Sequence, residues 1–164
     1  MFEKEKISFL CGGSSDITFI VCQIKLLMSF KNRVILVNLD GKILVGKRRV
    51  KPALKFSIFG GGLEMGETFE QTAIREAKEE TNLDIKNPKV IGLTNNIQTY
   101  NEEGMHSISV ILLATEFSGE LKVMEPDKCE SWFWSDPHDL PEPHYEASRI
   151  AIECYLEKVF YKNK

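Results

Sequence analysis

GGGLEMGETFEQTAIREAKEETNL, residues 60–83, is the stretch on which the reading of this chain turns. It opens on three glycines, and Gly66 follows. Without a Cβ, such residues let backbone come close to a ligand. The loop runs into a helix predicted over Thr68–Thr81. Thr68 is a suitable N-cap, and Gln71 three residues on completes a capping box. Phe69, Ala73, Ile74 and Ala77 fall at helical spacing and give the helix one apolar side. Asn82 suits the left-handed position just past the end. Glu76, Glu79 and Glu80 stand at i, i+3 and i+4, sharing a face about 100° wide. Carboxylates that close repel one another unless something neutralises them. On a solvated helix such a triplet is commonplace. Behind a glycine-rich loop, with Arg75 inside it, the triplet points to a hard divalent cation, because Mg2+ takes oxygen ligands.

Outward from this stretch the chain alternates strands and turns. Arg33–Leu39 is rich in apolar and β-branched residues, and Asp40-Gly41 after it is a two-residue hairpin signal. Lys42–Lys47 is the expected partner strand. Arg48–Lys55 is basic, contains Pro52 and is expected as a loop, with a short strand at Phe56–Phe59. Beyond Pro88 the pattern predicts strands over Val90–Thr99, Ser107–Phe117 and Ser131–Trp134, with a polar turn at Asn101–Gly104. Trp132 and Trp134 face the same side of their strand, where filling the core is favoured over stacking on a base. An amphipathic helix is expected over His144–Phe160, with Ala147, Ile150, Ala151, Cys154, Tyr155 and Val159 on one face. Helices on opposite sides of strands predict an α/β fold, a three-layer α/β/α sandwich about a mixed sheet.

The chain has 164 residues, the size of one domain. Lys and Arg number 21 against 24 Asp and Glu, for a net charge of −3. That argues against a stable nucleic-acid complex but leaves room for a small anionic substrate in a local site. Cys11, Cys22, Cys129 and Cys154 form no CxxC pair, so free thiols in a reducing cytoplasm are expected. No apolar run reaches the roughly 18–20 residues of a membrane span. Lys4 and Lys6 before Ile7–Cys11 faintly suggest a signal peptide, but Asp16 breaks the apolar region. Residues 1–30 are taken as an extension of unassigned role, with Met28 a candidate start, and 31–164 as the domain. No Gly-Lys-Ser/Thr follows a glycine loop, which excludes a P-loop nucleotidase.

Gly61, five residues, Glu67, seven residues, Arg75-Glu76-Ala77-Lys78-Glu79-Glu80, one residue, Asn82-Leu83 resembles the Nudix box, Gx5Ex7REUxEExGU. Two departures are visible: Asn82 replaces the late glycine, and Phe59 stands where relatives often carry Pro. Neither removes a carboxylate. Glu125–Trp134 and Leu140-Pro141 resemble the MutT-like branch, which cleaves nucleoside triphosphates, and the likeness runs over about residues 33–160. The resemblance implies a cytoplasmic hydrolase that uses Mg2+, with Mn2+ as an alternative. Glu76 and Glu80 would be metal ligands, and Glu79 a further ligand or the base that activates water. The Gly60 carbonyl and Glu125 would be additional ligands. Arg75 would pair with Glu67 and hold the loop to the helix.

The same resemblance places Arg48, Tyr145, Ala147, Ser148 and His106 where relatives contact the nucleotide. Relatives often carry Trp where this chain has Glu146, so the base is left open. Glu130 is a weaker acidic candidate, His138 and His144 are read as surface groups, and Cys129 as a packed small side chain. The expected partner is a small nucleotide, and a homodimer is an open expectation. Three readings stand: pyrophosphate release from (deoxy)nucleoside triphosphates, normal or oxidised; the same chemistry on ADP-ribose or another diphosphate derivative; and a non-catalytic nucleotide-binding regulator. The intact acidic set argues against the last. A chain from which residues 1–27 are removed is expected to keep its activity; insoluble or inactive protein would place the extension inside the domain.

Overall fold

The computed structural model describes residues 29–50, 54–104 and 106–162. The expectations for residues 1–28, including Met28 and the thiols of Cys11 and Cys22, lie outside these, as does Pro52. In chain order the elements are β1 (Ser29–Leu36), β2 (Ile43–Arg48), β3 (Phe56–Ser57), α1 (Phe69–Thr81), β4 (Asp84–Lys86), β5 (Lys89–Thr94), α2 (Ile97–Glu103), β6 (Ser107–Ala114), β7 (Glu116–Ser118), β8 (Cys129–Ser135) and α3 (Glu146–Glu157).

The architecture follows from the two faces of β1. Val34 and Leu36 point into one core, with Ala73 and Ala77 of α1. Ile35 points into the other, with Ile150 and Ala151 of α3. Alternation along a strand buried on both sides requires this. β1 pairs in parallel with β6, from Ser29↔Ser107 to Leu36↔Ala114, and β6 pairs antiparallel with β5. That sheet, ordered β1-β6-β5, is mixed as expected; β3-β2-β8 form a second sheet, and β4 pairs with β7. Helices on the two faces give the predicted α/β/α layering.

Several boundaries differ from the sequence reading. The Asp40-Gly41 turn is present, with the Asn38 carboxamide oxygen accepting from the N–H groups of Asp40 and Lys42. It does not close a hairpin ladder. Val37↔Ile43 is an isolated bridge, because β1 and β2 separate into different sheets. The strand expected through Thr99 stops at Thr94, and the polar turn at 101–104 is the end of α2. Asn96 takes a left-handed conformation (φ 49°), which no extended strand can contain. On α1, Ile74 is exposed (42%) and lies off the buried face that Ala73 and Ala77 define. His144, expected at the surface, is buried. It joins Phe56 by a bridge and its Nε2 meets Ser148 Oγ. Burial holds this imidazole down at about 4, so it stays neutral.

Both tryptophans pack on the α1-side core, as expected. Trp132 lies edge-on to Phe59 and Trp134 stacks on Phe117. Trp132 lies over Gly46 of β2: a Cβ there would fall 2.5 Å from its ring. Among the described residues no helix is long and apolar enough to cross a membrane. Gly46→Val forces the indole out of its place and is expected to destabilise the fold by about 1–3 kcal/mol, measured as a lower urea midpoint with an unchanged slope.

Candidate active site

The glycine loop is seated on the free edge of β1. Asn32 N–H donates to the Gly61 carbonyl (2.8 Å) and Val34 N–H to the Phe59 carbonyl (3.0 Å). The approach is so close that a Cβ on Gly60 would fall 2.2 Å from the Asn32 carbonyl oxygen. A Cβ on Gly61 would fall 2.0 Å from the Glu76 carboxylate. Only glycine leaves room at these two positions: β1 backbone takes the space at Gly60 and a carboxylate of α1 the space at Gly61.

α1 forms as its sequence dictates. Thr68 Oγ1 accepts from Gln71 N–H, and the Gln71 side chain accepts from Thr68 N–H. Asn82 ends the helix at φ 61°, so its replacement of the box glycine costs little. The last turn is tied to a distant loop. The Glu80 carbonyl accepts from Met124 N–H (3.2 Å) and from the Trp132 indole N–H (3.1 Å). These bonds bring Glu125, 45 positions after Glu80 in the sequence, beside the helix. Glu125 also pairs with Lys128 at 2.6 Å.

Arg75 occupies the centre. Its Nε donates to Glu67 Oε1 (2.7 Å), and Nη2 to Glu67 Oε2 and the Gly62 carbonyl (both 3.0 Å). Nη1 donates to Glu76 Oε1 (2.8 Å) and Glu79 Oε2 (3.0 Å). Glu67 also accepts from Thr72 Oγ1 and Glu64 N–H. These bonds, Arg75 first, hold its carboxyl down at about 2. The expected Glu67–Arg75 pair is therefore present, and it is bidentate.

The other carboxylates are perturbed the opposite way. Burial raises Glu76, against the pull of Arg75. Burial also raises Glu80, to about 8, with Glu76 and Glu125 adding repulsion. Its carboxylate accepts one hydrogen bond among the described residues, from Gly60 N–H, long at 3.4 Å. Among the described residues no three acidic, His or Cys side chains converge on one point. Glu76 and Glu79 instead each turn an oxygen to Arg75. The donor set nevertheless fits a hard divalent cation: all oxygen, crowded, and short of positive charge. Glu76, Glu80, Glu125 and the Gly60 carbonyl could hold it.

These residues line a cleft of about 310 Å³ with Glu79, Arg33, Arg48, Lys128 and Trp132. A larger cleft, about 440 Å³, lies between the 40–42 turn, residues 136–138 and the end of α3, and contains none of these groups. The site therefore belongs to the smaller cleft, where Glu76, Glu79, Glu80 and Glu125 meet Arg33 and Arg48.

Of the expected nucleotide contacts, the structure brings Arg48 to the cleft. A bulge at Lys47/Arg48 sends Lys47 to Glu130 (3.0 Å), so Glu130 sits in a surface ion pair. The Tyr145 ring lies under the Arg48 guanidinium at 5.1 Å. Ala147 and Ser148 are buried and do not line the cleft: Ser148 Oγ accepts from Ile58 N–H and meets His144. His106 is also away from it, beside the Tyr100 ring. Their place was expected from the resemblance; the packing of α3 and the insertion of α2 move them off the cleft. Cys129 is buried and its thiol is raised by burial, in keeping with a packed side chain. Arg33 was missed. In the sequence it reads as the last residue of the polar run Lys31-Asn32-Arg33 at the start of a strand, and its meaning appears only when Tyr145 is placed beside it.

Residues 31–153 match the NUDIX domain family. An ADP-ribose pyrophosphatase of Methanocaldococcus jannaschii is 32% identical over 74% of this chain and 69% of its own length. An NAD-capped RNA hydrolase of Vibrio atlanticus is 37% identical over 77% of this chain, which spans only 45% of that protein. Among solved structures, a MutT NUDIX hydrolase from Burkholderia pseudomallei is 32% identical, with a TM-score of 0.70 over 77% of this chain and 96% of its own.

Glu80 gives a test free of any substrate. A carboxyl raised above its unfolded value favours the fold while protonated and opposes it once ionised. Its cost therefore grows from the ordinary carboxylate range and is complete above about 8. In metal-free protein, Glu80→Gln is expected to melt higher than wild type, by a margin that widens from pH 5 to about pH 9. A margin independent of pH would show that Glu80 is ionised at little cost.

Proposed function

The chain belongs to the Nudix family, and from that premise we propose that it hydrolyses nucleoside triphosphates, normal or oxidised, to the monophosphate and pyrophosphate with a divalent metal. The observation that carries this reading is the group of carboxylates Glu76, Glu80 and Glu125 in one cleft with Arg33 and Arg48, with Glu80 buried and its carboxyl raised to about 8. A polyanion enters such a site only together with cations at the carboxylate end. The MutT NUDIX hydrolase of Burkholderia pseudomallei, alike in sequence and fold, supports a Nudix hydrolase activity.

Glu76, Glu80, the Gly60 carbonyl and Glu125 hold the metal, with Mg2+ the natural ion and Mn2+ the alternative. Bound there, the metal supplies charge neutralisation on phosphate and on the departing pyrophosphate. Glu79 is the exposed member of the triplet. It keeps one oxygen on Arg75 and takes the proton from the attacking water. Arg75 touches no substrate; it sets the angle of the loop to the helix. Arg48 meets the nucleotide, and the buried Tyr145 ring supports its guanidinium from behind. Water adds to phosphorus, the bond to the bridging oxygen breaks, and pyrophosphate leaves.

A second reading, hydrolysis of ADP-ribose, is favoured by the Methanocaldococcus relative, whose name states that activity. Both readings use the same carboxylates. A purely binding role has less support, because every acidic box position is retained.

Glu80→Gln removes charge but almost no volume, and is expected to lower kcat by about 10²-fold or more with the fold intact. Activity within about tenfold of wild type would exclude a metal role for Glu80. The substrate follows from a panel of normal and oxidised triphosphates, ADP-ribose, nucleotide sugars and NAD-capped RNA in Mg2+. Pyrophosphate from triphosphates is the expected product. Turnover of ADP-ribose alone would move the assignment to the second reading.

A further inference from the structure

Arg33 lies in the middle of β1, against the loop: a Cβ on Gly60 would fall 3.3 Å from its Cα. Its guanidinium stands 5.2 Å from the centre of the Tyr145 ring, and that of Arg48 stands 5.1 Å from the same ring. Both line the cleft that contains Glu76, Glu79, Glu80 and Glu125. Arg33 Nε is buried and has no hydrogen-bond partner. Among the described residues no carboxylate lies within ion-pair distance of Arg33. Burial works against its charge, and so does Arg48 beside it; Glu80 and Glu76 offset this only at longer range. An aromatic face is a weak partner for a half-buried guanidinium. Arg33 thus carries its charge in the cleft with no carboxylate beside it and no acceptor at Nε, and an anion entering there can supply both.

We propose that Arg33 and Arg48, backed by Tyr145, form a two-guanidinium subsite for the terminal phosphate of a polyphosphate substrate, and that Arg33 sets the preference for triphosphates over diphosphate esters. This rests on the phosphate-anhydride chemistry proposed above. A terminal phosphate carries up to two charges and three free oxygens, which match two planar donor forks. The central diphosphate of ADP-ribose has no such group and would leave Arg33 unpaired.

The test compares wild type with Arg33→Gln and Arg33→Lys. Inorganic triphosphate, titrated calorimetrically with Ca2+ present in place of Mg2+ to limit turnover, is expected to bind about tenfold or more weakly to Arg33→Gln, and to Arg33→Lys with a smaller loss. Without ligand, Arg33→Gln is expected to melt at or above the wild-type temperature, because it removes an unpaired cation. With Mg2+, KM for a triphosphate rises about tenfold while kcat and the KM for ADP-ribose stay within about threefold. Unchanged affinity for inorganic triphosphate overturns the subsite whichever substrate is turned over. A lower melting temperature with unchanged affinity assigns Arg33 to the fold instead. If Arg33→Gln does not fold, Arg33→Lys decides: affinity equal to wild type overturns the proposal. If neither triphosphates nor ADP-ribose are hydrolysed, the hydrolase reading fails, and the calorimetric comparison still settles the subsite.

Discussion

One guanidinium determines how the site is assembled. Arg75 bonds to Glu67 and the Gly62 carbonyl in the loop, and to Glu76 and Glu79 on α1. Loop and helix are thereby locked at one angle. That angle drives the Glu76 carboxylate into the space a side chain at position 61 would need. The same lock leaves Glu80 facing Gly60 across a long hydrogen bond. Glycine, arginine and glutamate at these spacings are one mechanical unit, and exchanging any of them would displace the others.

The unit is not built for stability. Glu67 is well satisfied and supports the fold above the ordinary carboxylate range. Glu80 is buried without a paired cation, Glu76 is buried and shares Arg75 with Glu67 and Glu79, and Arg33 is a cation with too little negative charge nearby. These charges lie in one cleft and still do not pair with each other. Proteins tolerate such conflict where ligands resolve it. The cost is borne by the two flanking cores, whose side chains are almost fully excluded from water.

Local chemistry was legible in the sequence; long-range pairing was not. Thr68, Gln71 and Asn82 announced both ends of α1, because caps are short-range hydrogen bonds. The carboxylate face followed from helical spacing alone. The Asp40-Gly41 turn was also correctly marked, yet what lies on either side of it depends on β6, far along the chain. A turn signal cannot reveal that its flanking strands enter different sheets. α2 was lost in an apparent strand because only the backbone at Asn96 separates the two. β4 and β7 are three residues each, too short for any periodicity. His144 looked like a surface group in a proline-rich stretch, and its partner Ser148 was assigned to the substrate. The two errors share one cause: the start of α3 is anchored inward, on β3 and on Ile58.

Trp132 has a consequence of another kind. The chain has only two tryptophans, so its ultraviolet emission comes from two known places. Trp132 borders the cleft, and its indole N–H is bound to the carbonyl of Glu80 itself. Trp134 is stacked on Phe117, 5.4 Å between ring centres, and does not line the cleft. The protein thus carries a built-in optical reporter beside its charged groups and a reference chromophore apart from them. Any ion or nucleotide that settles among the carboxylates alters the field around one indole and spares the other.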